Sequence, residues 1–159
     1  MSDTLTARLL HFRDSLNAAS PPSTFSSFFI STTPGRSLPC CIEHGPPDHP
    51  DLPFLGKPFT GQQAIEKYYS LISSILKGKG STFNEDSLLV KLKEEETRAR
   101  AVWTGTAVWS VQKTGKEWEE AVVWAFDAVK AVEGANGQEE WKIEKWEVWA
   151  DPLSAYLAS

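Results

Sequence analysis

The chain has 159 residues, 41% of them hydrophobic and seven of them tryptophans, with a formal net charge of −5. This length is typical of one domain that folds without a disulfide or metal, so we expect a single domain over 1–159. The acidic balance predicts no nucleic-acid partner, because phosphates are bound by basic patches. No apolar stretch is as long as a membrane span, and the N-terminal residues do not form a secretory signal. We therefore expect a cytoplasmic protein with no membrane partner.

The N-terminal segment predicts a helix. Apolar residues recur there at spacings of three and four, and Ser2 or Asp3 can cap the first turn. Pro21 and Pro22 end the pattern, and a second short helix is expected over 25–30. The apolar positions of the first helix are Leu5, Leu9, Phe12 and Leu16.

A short strand and a long helix follow. Residues 40–44, CCIEH, predict the first strand, and we expect its two adjacent cysteines to be reduced thiols in a cytosolic protein. A proline-rich loop then leads to the clearest helix of the chain, with Thr60 as its expected cap and Gly78 as its expected end. The cysteines lack the further ligands that a zinc site needs, so we predict no metal.

The second half of the chain predicts strands. Turn signals such as Thr114-Gly115 separate them, and Gly105 is expected to mark a bulge or bend. A short terminal helix is expected over 153–158. Helices would then pack on one face of a curved antiparallel sheet, an α+β architecture in the shape of a cone with an interior cavity. The predicted strands cover about 81–93, 98–111, 117–131 and 139–150.

Two stretches carry a resemblance to a known family. CIEHGPP at 41–47 and PFLGKPFTGQQAIEKYYSLI at 53–72, followed by long hairpins, resemble the nuclear transport factor 2-like superfamily. Within it, the sequence is most similar to SnoaL-like polyketide cyclases and ketosteroid isomerases. The resemblance implies a cone-shaped α+β barrel with an interior pocket. It leaves the activity open, because the superfamily includes isomerases, cyclases, dehydratases, binding proteins and transport factors.

The same resemblance suggests catalytic residues. Ketosteroid isomerases carry a carboxylate base just after the first strand, where His44 stands here, and a second acid in the sheet, which Asp127 matches. The tyrosine that these isomerases supply from the first helix is absent, which argues against steroid isomerisation and leaves general acid/base chemistry open. The alternatives are a half-exposed strand-end histidine and a structural aspartate.

The residues themselves give further expectations. Strand alternation places Asp127 among small apolar neighbours, where a carboxyl group must be paired, hydrogen-bonded or protonated. These small side chains would leave room for a ligand, and aromatic side chains would line the pocket. Tyr156 is expected near its open end. The predicted ligand-binding residues are Tyr68, Tyr69, Trp103, Val123, Ala125 and Trp146.

The predicted function is therefore a small-molecule role. One hypothesis is an isomerase, cyclase or dehydratase that needs no cofactor and uses His44 and Asp127 on a small apolar substrate. The other is a module that binds a small apolar ligand without changing it. A homodimer through the convex face of the sheet is compatible with either hypothesis.

Overall fold

The computed structural model describes residues 4–31, 37–132, 137–151 and 157. Tyr156 lies outside these residues, as does the predicted terminal helix apart from residue 157. The helices are α1 (Leu5–Asn17), α2 (Pro22–Ser26) and α3 (Gln62–Ile75). The strands are β1 (Cys40–His44), β2 (Phe59–Thr60), β3 (Leu76–Thr82), β4 (Leu88–Lys93), β5 (Arg98–Val111), β6 (Glu117–Val132) and β7 (Glu139–Trp149).

Within the described residues, seven strands form one open, mixed sheet. The order is β2-β1-β7-β6-β5-β3, and β4 pairs with β5 beyond the end of β3. The cone-like α+β fold is confirmed, but the expectation of an antiparallel sheet is wrong at β1, which runs parallel to β7. Such pairing needs a long crossover, and α3 with the later strands supplies it.

The helices cover one face of the sheet, here named the inner face, and the core lies between them. Phe12 of α1 is fully buried, and its ring packs against Trp124, Phe126 and Trp146 of the sheet. Seven tryptophans and eight phenylalanines in 159 residues supply large rings for this core. The opposite face of the sheet is named the outer face.

Two helix boundaries differ from the predictions. The cap of α1 is Thr4, whose Oγ1 accepts the N–H of Ala7 at 3.1 Å, instead of Ser2 or Asp3. Before α3 the cap position is Gly61, at φ +92°, and no side chain caps this helix, so Thr60 does not play the expected role. The left-handed backbone of Gly61 turns the chain directly from β2 into the helix.

The strand predicted over 81–93 is also different. The chain forms β3, a 3₁₀ turn over Glu85–Ser87, and β4, so both strands pair with successive parts of β5. Gly105 of β5 does not lie at a bulge. A Cβ there would lie 2.4 Å from the carbonyl oxygen of Thr82 and 2.6 Å from the ring of Phe83. Glycine is thus required by the close approach of this segment.

Candidate functional site

A cavity of about 290 Å³ lies between the helices and the inner face of the sheet. Its exposed lining residues are at and just after the end of α1, near the end of α3, along β3 and just after β5, which places the mouth there. At this mouth, Asn17 Oδ1 accepts the backbone N–H and the hydroxyl of Ser81 at 3.1 and 2.7 Å. The volume is close to the lower limit for small-molecule sites, roughly 300 Å³.

Glu43 of β1 faces this cavity. Strand alternation turns it to the inner face together with the buried Cys41, and the hydroxyl of Tyr68 donates to its Oε2 at 3.0 Å. Burial raises the pKa of Glu43 from 4.5 to about 7; the hydrogen bond from Tyr68 opposes the rise and the charge of Glu120 adds to it. A carboxyl group with a pKa near neutrality can accept a proton and return it.

Glu120 of β6 is the second carboxyl group at the cavity. Nε1 of Trp118 donates to its Oε2 at 2.9 Å, and Trp109 also donates to it. Burial raises the pKa of Glu120, while these two indole hydrogen bonds lower it. The cavity therefore holds two unlike acids, one bonded by a phenol and the other by indoles.

A smaller hollow of about 20 Å³ adjoins the cavity on the side of the proline-rich loop. Both spaces are lined by Glu43, Glu120 and Trp109. The hollow has room for about one water molecule, which needs roughly 10–15 Å³. Two carboxyl groups thus meet where the ligand-sized space adjoins a water-sized one.

Three of the six predicted ligand-binding residues line the cavity: Tyr68, Tyr69 and Trp146. Trp103 shares the inner face, but it is fully buried in the core and its Nε1 donates to the backbone oxygen of Asn84 at 2.7 Å. Val123 and Ala125 lie on the outer face, because they pair in register with Trp149 and Glu147. These three residues are therefore away from the cavity, and their predicted role remains a prediction.

His44 and Asp127 also lie on the outer face, where contacts through Glu147 and Arg100 join them. Nε2 of His44 lies 3.1 Å from Oε1 of Glu147, and Nη2 of Arg100 lies 3.5 Å from Oε2 of the same carboxylate. Nη1 of Arg100 contacts both carboxylate oxygens of Asp127 at 3.0 Å. The structure brings the two predicted residues to the same face but does not place them in the cavity.

Both side chains have structural partners on the outer face. The ring of His44 stacks on Trp149 with the ring centroids 4.4 Å apart. Although burial opposes ionisation of Glu147, hydrogen bonds from His44 and Lys145 lower its pKa. Asp127 was expected among apolar neighbours, but it is half-exposed and paired with Arg100. A catalytic role of His44 and Asp127 remains a prediction.

Solved structures match the chain over nearly its whole length. A ketosteroid isomerase-like protein from Erwinia carotovora atroseptica has 12% identity and a TM-score of 0.63, covering 91% of this chain and 92% of that chain. An NTF2-like protein from Burkholderia xenovorans has 14% identity and a TM-score of 0.56, with 99% and 98% covered. ActVI-ORFA from Streptomyces coelicolor has 12% identity and a TM-score of 0.59, with 93% and 98% covered.

The chain has the nuclear transport factor 2-like fold. At these identities the likeness shows the fold alone. No protein-family profile matches the sequence, and no curated protein matches it. Function within the nuclear transport factor 2-like fold must therefore be argued from the cavity.

The sequence reasoning missed Glu43 and Glu120, although the strand pattern contains a signal for both. In CCIEH, alternation places Glu43 opposite His44 and on the face of Cys41. In β6, Glu120 shares its face with Trp118 and the other large aromatic residues. Choosing the aromatic face of β6 as the inner face would have selected Glu120, and choosing the face of the buried Cys41 would have selected Glu43.

Two negative findings apply to the described part of the chain only. Within it, no His, Cys, Asp or Glu residues form a group of three or more that could hold a metal ion. Among the same residues, the helices are too short or too polar to cross a membrane.

Proposed function

We propose that this protein catalyses proton transfer on a small apolar carbonyl compound in the cavity, without a cofactor, as an isomerase, cyclase or dehydratase. The observation that carries the proposal is Glu43, a carboxyl group in a ligand-sized cavity whose burial raises its pKa to about 7. Such a group is half-ionised near neutral pH, which suits a general base that must also release the proton.

The neighbours of Glu43 support separate roles. Tyr68 stays a phenol over the physiological range, since burial and the charge of Glu43 raise its pKa well above the ordinary value, and it can orient the base. Glu120 is the second acid. When protonated, its carboxyl group can donate a hydrogen bond to the oxygen on which charge develops.

Hydrogen–deuterium exchange at the carbon next to a carbonyl tests this proposal. We expect the protein to accelerate exchange of an enolisable ketone such as 2-tetralone, followed by NMR in D₂O. Glu43→Gln should lower the acceleration by about 100-fold or more, the usual contribution of a general base. Glu119→Gln is the matched control, because Glu119 is an exposed neighbour of Glu120 on β6 and points away from the cavity.

The same assay decides between Glu43 and the residues predicted from sequence. If Glu43 is the base, His44→Gln and Asp127→Asn keep the exchange rate within a few-fold of wild type. Loss of exchange in His44→Gln, with full exchange in Glu43→Gln, would reverse the assignment.

Binding without catalysis is the second candidate, and the mostly apolar, aromatic walls of the cavity favour it. Under this alternative, ketones quench the tryptophan fluorescence but show no accelerated exchange in the wild-type protein.

We also propose a homodimer through the outer face. Trp149 is 39% exposed there beside Val123, which is a suitable centre for an interface. Sedimentation should show a dimer for wild type and a monomer for Trp149→Glu. A monomeric wild-type protein would exclude the dimer.

A further inference from the structure

The cavity has carboxyl groups away from its mouth and a lysine near its mouth. Its two carboxyl groups are those of the half-buried Glu43 and the buried Glu120. Lys77 is the one lysine or arginine among the described lining residues, and it is exposed near the mouth. The imidazole of His44, which borders the small hollow, is bonded to Glu147 on the outer face. The inner end of the cavity therefore lacks a cation from the described residues.

Aromatic side chains contact both acids, with Tyr68 and Trp109 lining the cavity and Trp118 lining the small hollow. Trp109 and Trp118 donate their N–H groups to Glu120, and the phenol of Tyr68 donates to Glu43. Aromatic faces are electrically negative and attract cations, most strongly when water is excluded. Walls of this kind, combined with carboxylates, favour a cation more than a neutral molecule of the same shape.

We propose that the cavity selects a ligand that carries a positive charge on an apolar body, such as a hydrophobic tertiary or quaternary amine, with its charge between Glu43 and Glu120. The inference adds the charge of the ligand to the proposed function. It rests on that proposal, because it uses the same cavity with Glu43 facing the ligand. In this arrangement the ionised form of Glu120 is the counter-ion. In a ligand that also has a carbonyl group, the positive charge increases the acidity of the C–H bond next to that carbonyl, and Glu43 accepts this proton to leave an enolate that the positive charge stabilises.

The proposal implies a pH dependence with a definite sign. A permanent cation binds best when Glu43 is ionised, so its affinity is full above a pKa of about 7 and falls as the pH drops below that value. Between pH 8 and pH 6 the expected loss is about tenfold. The titratable groups near Glu43 are Tyr68 from α3, Glu120 from β6, Cys41 and His44 from its own strand, Lys77 from β3 and Asp151 after β7.

Two isosteric probes test the inference in the wild-type protein. Phenyltrimethylammonium is permanently charged, and tert-butylbenzene has the same shape without the charge. Both are titrated into the protein at pH 8 and pH 6, and binding is followed by tryptophan fluorescence. We expect phenyltrimethylammonium to bind at least tenfold more tightly at pH 8 and to lose about tenfold in affinity at pH 6, while tert-butylbenzene changes little.

Two variants locate the charge. Glu43→Gln should abolish the pH dependence, Glu120→Gln should lower the preference for the cation at least tenfold, and the control Glu119→Gln should change neither. Equal binding of the isosteres by wild type, binding of neither, or a preference for the cation that persists unchanged in both variants would overturn the inference. Failure of this inference and failure of the proposed function can be told apart. A protein with no preference for cations can still accelerate proton exchange of a neutral ketone.

Discussion

Burial of Glu43 should make the stability of the fold depend on pH. Folding raises the pKa of this carboxyl group from 4.5 to about 7, so the folded state binds more protons than the unfolded state between these values. The free energy of unfolding therefore falls as the pH rises through this window. At about 1.4 kcal/mol for each pH unit, the destabilisation reaches about 3 kcal/mol above pH 7.

Glu43→Gln removes this term and keeps an acceptor for the hydroxyl of Tyr68. We expect the variant and the wild type to differ by a constant amount at or below pH 4.5. The variant should then gain about 3 kcal/mol relative to wild type by pH 8. Glu120, whose pKa is also raised by burial, is present in both proteins, so most of its contribution cancels in the comparison.

The assay is urea unfolding at half-unit steps from pH 4.5 to pH 8, followed by tryptophan fluorescence. Glu119→Gln serves as the charge control and should follow the wild-type curve. If the free energies of Glu43→Gln and wild type stay parallel over the whole range, Glu43 does not have a raised pKa in the folded protein, and the case for it as a base near neutral pH is lost.

Three further changes test the packing of the fold by thermal or urea unfolding. Gly105→Ala should cost about 1–3 kcal/mol, because its Cβ would lie 2.4 Å from the carbonyl oxygen of Thr82; Gly78→Ala, with 3.6 Å to its nearest neighbour, is the control and should cost less than 1 kcal/mol. Phe12→Ala should cost about 3–5 kcal/mol, since this fully buried ring joins α1 to the sheet, and a cost below 1 kcal/mol would contradict that role. Thr4→Ala should cost about 1 kcal/mol through loss of the cap, whereas Thr4→Ser should be nearly neutral.

The spacing of apolar residues along the sequence predicted the helices and strands. It could not predict how distant segments pair, which explains the errors at β1 and Gly105. The apolar spacing in α1 and the alternation in β5–β7 each follow from one face being buried, so they are visible in a single sequence. The parallel pairing of β1 with β7 depends on where the chain returns after the crossover, and no local pattern encodes that. Gly105 was expected at a bulge or bend because an isolated glycine in a strand is typical of one. The approach of Phe83, which requires the glycine, is a tertiary contact with no local sequence signal.

The prediction of the site depended on which face of β1 is the inner one. Glu43 and His44 are adjacent in sequence and lie on opposite faces of this strand. Gly45 and Pro46 after His44 mark the end of β1. His44 was predicted to be catalytic because it is a titratable side chain at this strand end. Alternation alone cannot say which face of a strand is inner, and a shift of one residue exchanges the faces. Glu43 lies on the inner face, where it accepts a hydrogen bond from Tyr68. His44 lies on the outer face, where its ring contacts Glu147.

The same choice of face governs Asp127, and the energetics show why it suits the outer face. The half-exposed Asp127 on the outer face has a cationic partner, because Arg100 lies directly opposite it on β5. On the inner face, Glu120 has only neutral N–H donors among the partners described for it, so burial keeps its pKa raised. A carboxylate with an arginine partner is already neutralised, whereas one held by indoles retains its charge or its proton for a ligand. The acids available for chemistry are therefore Glu43 and Glu120, which line the cavity and have no cationic partner among the described residues.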